Sequence, residues 1–548
     1  MRIKTLLFAA LALVPSVLSA QVIEGDVLVK ADGAPIDYKI PEGIREIAPN
    51  AFATSSVRSV QCPASLEVIG QCAFFYAVDL KSVTFAPNSK LRVIGEQAFS
   101  DCTNLETIEL PNSIDSIGTN AFVLCENLKK VTIPTGLKKL SRSTFMSCSN
   151  LMKVKFPETL KEIDETCFAN CVSLTSLTLT GVETIGERAF YNCKVLTNVK
   201  LNEGLKEIKD NAFQRCVALE TLELPASVEK TGAKLFLQCP EFSGFTVVAG
   251  STHMMTADGV LYSKDKTTLY ECPQTLKSDN FVVPAETKLI RSMAFFECQD
   301  IKAITLPANL EKVGTGALSN NGMALFNFTT NNYMVHEDNA LYYRSTTGKG
   351  LYLIAVPCKG TKTEFMLQPK TSYVADYAFS YNNNVQKIYL PDSVVGIGER
   401  AFYACHGLKD IYSYRKTAPT LGEEVFGDVE FNKVYLHVRK GSEKSYADNN
   451  WLFLWGDNIE GDYPAVADGI NGVVTVGSVL SVIRQSEIEV RIIADKTIGS
   501  VELYNTSGAL ISVSKPLGSN EIVLTLPHCG VYVAKLRLAD GSIKVVKI

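Results

Sequence analysis

The 548 residues contain no apolar run long enough to cross a bilayer, which needs about 20 such residues, and the stretch at the start is also too short. A membrane span is therefore not expected. Histidine is scarce, with five in the whole chain, and no CxxC pair, HExxH or His-rich tract occurs, so a clustered metal site has no ligands at the required spacing. Neither a GxSxG elbow nor a phosphate-binding glycine loop is present. Positive charge is not concentrated either. The 54 basic and 58 acidic residues are spread along the chain for a net charge of -4, and no basic block exists to neutralise a phosphate backbone. These absences leave a nucleic-acid partner and a resident cofactor without support.

The early apolar stretch, Leu6 to Val14, follows Arg2 and Lys4 and precedes Ser16, Ser19 and Ala20. That order marks residues 1–20 as a secretory signal and predicts a secreted or outer-surface location. The first cysteine is Cys62, so a lipid anchor near Ala20 has no acceptor. The remaining composition, 46% hydrophobic and 20% charged, is that of a folded protein with room for more than one domain.

What the chain has in abundance is repetition. A Phe, usually preceded by Ala, recurs at 52, 74, 99, 122, 145, 168, 190, 213 and 236, at intervals of 22 to 25 residues, and the motif returns at Phe295, Leu318, Phe379 and Phe402. One clean unit reads Ile94 Gly95, Ala98 Phe99, Cys102, Leu105, Ile108, Leu110, Pro111. No single helical or strand period spans these apolar positions; they mark the inward points of one solenoid coil. Leu105, Ile108 and Leu110 have the Leu-x-x-Ile-x-Leu pattern of the short strand in a leucine-rich repeat, and Pro111, Pro134, Pro157, Pro225, Pro307 and Pro391 close that strand. The repeated glycine after Ile (Gly70, Gly95, Gly118, Gly186, Gly314, Gly398) reads as a turn glycine.

Ile-Gly-x-x-Ala-Phe-x-x-Cys-x-x-Leu-x-x-Ile-x-Leu-Pro resembles the BspA-like leucine-rich repeat of bacterial surface proteins, over roughly residues 40–412. The fold class expected is a β-rich leucine-rich-repeat solenoid of about 23-residue period followed by a small C-terminal β-sandwich. The solenoid is placed at 21–460. Two long intervals are read as hairpin-bearing insertions, at about 240–290 and 322–373, because Val260 Leu261 Tyr262 with Leu269 is answered by Ala340 Leu341 Tyr342 with Leu353. An end cap is placed at about 413–460, where Val434 to Val438, Tyr446, Trp451 and Ile459 resemble the family's closing segment, although Arg439 replaces its usual proline. Trp451 and Trp455 either cap the last coil or stand exposed to stack on sugar rings.

Glu460 to Pro464 reads as a polar, turn-rich stretch before a separate β domain at 466–548. There, Val501 to Asn505 with Gly508, Gly530 to Lys535 and the final Lys544 to Lys547 resemble the C-terminal sorting domain of type IX secretion in Bacteroidetes, although Ala509 replaces a basic residue. The resemblance implies secretion machinery as a partner of this tail.

Of 15 cysteines, nine occupy one repeat position, three residues after the Phe: Cys102, Cys125, Cys148, Cys171, Cys193, Cys216, Cys239, Cys298 and Cys405. Neighbouring coils lie about 4.8 Å apart with parallel Cβ vectors, whereas a disulfide needs Cβ atoms about 3.8 Å apart and turned together, so a ladder of buried thiols is expected. Pairing of Cys167 with Cys171, or of Cys62 with Cys72, stays open. His406 beside Cys405 and His528 beside Cys529 form no dyad, because neighbouring side chains point apart in extended chain.

The outward strand positions define a candidate binding face: Thr107, Glu109, Lys130, Thr132, Lys153, Lys155, Ser176, Thr178, Asn198, Lys200, Thr221 and Glu223. The family resemblance implies a non-catalytic adhesin or interaction protein, with extracellular protein or glycan as partner, host matrix proteins and neighbouring bacteria among them. A secreted enzyme, a glycan-utilisation accessory protein and a structural surface-layer component are the alternatives.

Overall fold

The computed structural model describes residues 21–31, 34–345, 350–430, 433–451, 459–463, 472–475, 480–484, 489–494, 496–505, 510–515, 518–527, 532–540 and 543–547. The residues read as a signal, 1–20, lie outside them, as do Trp455, Gly508, Ala509, His528, Cys529, Gly530 and Val531. The chain divides into two compact units, Met1–Lys264 and Asp265–Ile548.

In the first unit the period seen in the sequence becomes coils with two strands and one turn each. The longer strands pair in parallel: Asp37–Lys39, Ser59–Cys62, Ser82–Phe85 and Thr107–Ile108, then Lys130–Thr132 with Lys153–Lys155, Ser176–Thr178 with Asn198–Lys200, and Thr221–Leu224 with Gly244–Val247. Two-residue strands such as Val93–Ile94, Ser116–Ile117, Lys139–Leu140 and Glu162–Ile163 stack along a second side. The strand period of two places Ile94, Ile117, Leu140 and Ile163 in the core and their predecessors toward solvent. At the N-terminal edge, Val22–Glu24 folds back antiparallel on Val27–Lys30 through Gly25, whose φ of 63° only glycine adopts without cost, and the hairpin covers the first coil's open strand.

The third side, around the Ala-Phe pair, ties coil to coil. The phenylalanines stack face to face from Phe52 to Phe236, with centroids 4.6 Å apart at Phe52–Phe74, 5.2 Å at Phe122–Phe145 and 5.6 Å at Phe213–Phe236. Backbone groups alternate there. Gln97, Phe99 and Asp101 donate N–H groups to Thr119, Ala121 and Val123 of the next coil, while Ala98, Ser100 and Cys102 close turns within their own. Gln97 and Asp101 reach those acceptors only with φ of 53° and 60°, and the same two positions carry positive φ in coil after coil (Asn120 and Leu124, Ser143 and Ser147, Thr166 and Asn170). The repeated glycine has another role than the turn expected of it. No positive φ occurs at Gly95 or Gly118; instead a Cβ there would lie 2.6 Å from Gln71 N and 2.5 Å from Glu96 N, so glycine serves close approach to the preceding coil. The requirement is local, since Ser141, Asp164 and Lys209 stand at this position elsewhere.

The hairpin Met254–Ala257 with Val260–Ser263 interrupts the coils of this unit. Val260, Leu261 and Tyr262 are buried, so that strand belongs to the core, and the Asp258–Gly259 turn packs on the strand Gly244–Val247, where the Phe245 N–H donates to Gly259 O at 3.1 Å.

The second unit repeats the plan. Its insertion is a three-stranded antiparallel meander, Met334–Glu337, Ala340–Arg344 and Leu351–Ala355, again with its middle residues Leu341 and Tyr342 buried. Coils then resume along Thr371–Val374, Gly396–Ile397 and Thr420–Leu421, and along Glu364–Met366, Lys387–Leu390, Asp410–Ser413 and Tyr435–Arg439. One open alternative is decided here and one reading is corrected. Trp451 offers no face to a sugar: it is fully buried against Phe426 and Tyr446, its indole N–H donates to Pro419 O at 3.0 Å, and it caps the coil of Phe426. Glu460 to Tyr463, read as a turn-rich stretch, are strand instead, because Ile459–Tyr463 extends the sheet in parallel with Tyr435–Arg439. Beyond them, two four-stranded antiparallel sheets, one with Gly472–Thr475, Leu480–Arg484, Glu489–Ala494 and Glu521–Thr525, the other with Leu510–Ser514, Ile498–Asn505, Tyr532–Leu538 and Ile543–Lys547, share one apolar cluster that includes Ile492, Leu503, Leu524 and Leu536.

Phe145 lies between Phe122 and Phe168, both rings within 10° of parallel to it, and is fully buried. Replacing it with alanine is expected to cost about 3–5 kcal/mol, read as a lower urea midpoint and new protease cleavage near residue 145. A loss under about 1 kcal/mol would show that the column is not what joins the coils.

Candidate binding surface

Every outward strand position singled out from the sequence is exposed: Thr107, Glu109, Lys130, Thr132, Lys153, Lys155, Ser176, Thr178, Asn198, Lys200, Thr221 and Glu223. Between them Ile108, Val131, Val154, Leu177 and Leu222 point into the core and Val199 is half-buried. Parallel pairing sets the register. Lys130 stands opposite Lys153, Thr132 opposite Lys155, Ser176 opposite Asn198 and Thr178 opposite Lys200. The structure therefore brings the twelve residues onto one face as two columns.

The two strand sides of the unit treat charge differently. Along the side of the two-residue strands, cations meet carboxylates of an adjacent coil: Arg45 with Glu67 at 2.8 Å, Arg92 with Asp115 at 2.5 Å, Lys139 with Glu162 at 2.9 Å and with Asp164 at 2.8 Å, and Glu183 with both Lys206 at 2.8 Å and Lys161 at 3.4 Å. The neighbouring guanidinium and ammonium groups hold Glu67 and Glu183 below the usual carboxylate range. Among the described residues, the one such pair on the candidate face is Lys129 with Glu106 at 2.8 Å. Lys130, Lys153, Lys155 and Lys200 form no ion pair among the described residues. Lys130 and Lys153 are moreover like charges placed side by side, an arrangement that costs stability in a sheet.

A cleft was not foreseen. The interval of 25 between Phe74 and Phe99 places two extra residues in the loop at 86–90, and this loop walls a cleft of about 810 Å³ whose lining includes Asn88, Ser89, Thr107, Glu109, Asn112 and Lys130. A smaller groove of about 270 Å³ lies beside Lys200, between Glu203, Glu223 and Pro225. The odd interval was visible in the sequence; only the direction in which the surplus chain bulges was not.

The cysteine ladder is structural. Apart from Cys298, whose thiol faces Pro273 O at 3.7 Å, each ladder thiol donates to the carbonyl of a Phe one coil back, as Cys102 to Phe74 O at 3.1 Å, Cys125 to Phe99 O at 3.1 Å, Cys148 to Phe122 O at 3.2 Å and Cys405 to Phe379 O at 3.1 Å. The thiol is thus a small core group that also supplies a donor, and burial pushes its ionisation far up at Cys125, Cys171 and Cys216. The pairings left open are not made: Cys62, Cys72, Cys167 and Cys171 are free. Among the described residues no group of three His, Cys, Asp or Glu could hold a metal ion. His406 is exposed beside Asp428 at 3.2 Å, and His437 stacks on Tyr412 with centroids 4.3 Å apart while bonding Asp410.

The model of the BspA type leucine rich repeat region matches residues 36–152, 75–181, 161–256, 266–349 and 358–450. The chain belongs to this family. Several solved structures are similar. A leucine-rich cell surface protein of Faecalibacterium prausnitzii is 22% identical, with 72% of this chain and 92% of that one covered and a TM-score of 0.43. A leucine-rich repeat protein of Bacteroides ovatus is 18% identical, covering 77% and 90% with a TM-score of 0.41. The pneumococcal vaccine antigen PcpA is 20% identical, covering 81% and 94% with a TM-score of 0.30. No curated protein matches. No helix among the described residues is long and apolar enough to cross a membrane.

Thiol chemistry offers a direct check of the ladder. Cys72, half-buried, is the described thiol open to a reagent, whereas the fully buried Cys102 to Cys239 should stay unlabelled by a maleimide until the chain unfolds. Labelling of these eight sites in the folded protein, mapped by peptide mass, would contradict the packing described.

Proposed function

We propose that this BspA-type protein is exported to the cell surface and works there as a non-catalytic binding or adhesion protein, contacting an extracellular protein or glycan through the face that runs from Thr107 to Glu223. The observation that carries the reading is the set of unpaired lysines on that face, in a unit whose other strand side neutralises its charges between coils. Charges left without an internal partner are available to steer and hold an external one. Repetition supports the same reading, because equivalent positions recur coil by coil and one surface can make many weak contacts at once.

Residues 1–20 would direct export. The C-terminal sheets would serve as a sandwich-like sorting domain of the type IX kind, with the strand Ile498–Asn505 carrying the Val501 to Asn505 motif and Tyr532–Leu538 the Tyr532 to Lys535 motif. Host matrix proteins and neighbouring bacteria are the partners that the family likeness brings to mind.

The full chain is expected to be retained on at least one surface in a panel of immobilised matrix proteins and polysaccharides. Combined Lys130→Glu, Lys153→Glu, Lys155→Glu and Lys200→Glu should lower that retention by roughly tenfold or more, mainly through faster dissociation. Unchanged retention would overturn the choice of face. Protease shaving of intact cells should release repeat fragments; a full-length chain protected inside the cell would overturn the surface reading.

A further inference from the structure

The lysine face has a composition that narrows its ligand. Its outward columns, over the four successive coils bearing Lys130–Thr132, Lys153–Lys155, Ser176–Thr178 and Asn198–Lys200, consist of lysine, threonine, serine and asparagine alone. Carboxylates stand just outside this stretch, Glu109 one coil before and Glu223 one coil after. The stretch free of negative charge is therefore bounded, roughly 14 Å long at about 4.8 Å per coil.

Specific protein interfaces concentrate their binding energy in buried aromatic, Met and Arg side chains and are poor in Lys and Ser. The outward columns have none of the former and are built of the latter, and the one exposed methionine beside them, Met152, is flanked by Lys153. The face also lacks the aromatic platforms on which nucleic-acid bases stack. What it offers is point charges on flexible stems, suited to anionic groups that need no fork-shaped donor, with hydroxyl and amide groups between them. Lys130 and Lys153 are neighbours across the sheet, and Lys155 lies about 6.6 Å along the strand from Lys153 on the same side. Three ammonium groups so placed repel one another until an anion sits among them. Thr132, Ser176, Thr178 and Asn198 can meanwhile hydrogen-bond sugar hydroxyls.

We infer that the ligand of this face is a polyanionic glycan, sulfated or uronate-rich, lying along the coils from Lys130 to Lys200. The inference rests on the surface-binding reading above and names the ligand class for it.

The test uses the full chain with heparin as the sulfated probe, uncharged dextran as its neutral counterpart, and duplex DNA and a fibronectin-type matrix protein as competing classes. Binding to heparin should weaken by at least about tenfold between 50 and 200 mM salt, as expected when several lysines displace counterions from a polyanion. Combined Lys130→Gln, Lys153→Gln, Lys155→Gln and Lys200→Gln should lower heparin affinity by tenfold or more and flatten that salt dependence. Lys139→Gln, Lys161→Gln and Lys206→Gln together, which remove nearly as much charge from the other strand side, should leave affinity within about twofold. Equal losses in the two variants, or tighter binding to DNA than to heparin, would overturn the inference. If heparin is ignored while the matrix protein is held through the same four lysines, the ligand class fails and the surface reading stands. If the four substitutions change nothing for any probe, both fall.

Discussion

Coil must meet coil at a constant spacing on the Ala-Phe side, and the rest of the molecule follows from that. Phenylalanine rings a little over 5 Å apart at Phe99–Phe122 and Phe122–Phe145 leave no slack for an extra residue between them. Backbone donors at Gln97, Phe99 and Asp101 are already committed to the next coil, and the positive φ at two of them is the conformational cost of reaching it. Small or donor-bearing residues fill what is left: alanine before the ring, and cysteine after it, whose thiol takes up the second lone pair of a Phe carbonyl. Because this side is rigid, variation in coil length is pushed elsewhere. The two surplus residues between Phe74 and Phe99 emerge next to the strand face as a cleft wall, and the larger surpluses emerge as the hairpin at Met254–Ser263 and the meander at Met334–Ala355.

The same rigidity makes the exposed positions comparable from coil to coil, which is why charge bookkeeping along the solenoid is informative. On the side of the short strands, side chains one coil apart alternate in sign and find each other, as Arg92 finds Asp115 and Lys206 finds Glu183. Individually such exposed pairs add little stability. Their effect is to leave that side electrically quiet. The longer strands of the first unit show the opposite habit, with Lys130 beside Lys153, and this asymmetry rather than any single residue is the basis for assigning a binding role.

Much of this was legible in the residues themselves. The spacing of Phe, Gly, Cys and Pro is enough to specify coils, and alternation within Leu105 to Leu110 is enough to say which side chains face out, so the twelve face residues could be named before any coordinate. Other features were not legible. Between a cap and an exposed ligand platform, Trp451 could not be decided by type alone; the packing of Tyr446 and Phe426 around it makes it the cap. Glu460 to Tyr463 looked like a turn-rich stretch because glycine and acidic residues read as turn, yet the open edge of Tyr435–Arg439 supplies backbone partners that override that preference. The glycines looked like turn residues because a missing Cβ serves two purposes, and only the distance to Gln71 N or Glu96 N tells which.

By itself, then, the sequence determined the period, the inward and outward sides of each strand, membership of the repeat family and the absence of familiar catalytic motifs, since all of these are carried by local spacing. Tertiary structure alone decided which lysines keep a carboxylate and which are left bare, where surplus residues open a cleft, and what each thiol donates to. Those depend on residues 22 to 28 positions apart that become neighbours only when one coil settles on another, a relation that local chemistry does not encode.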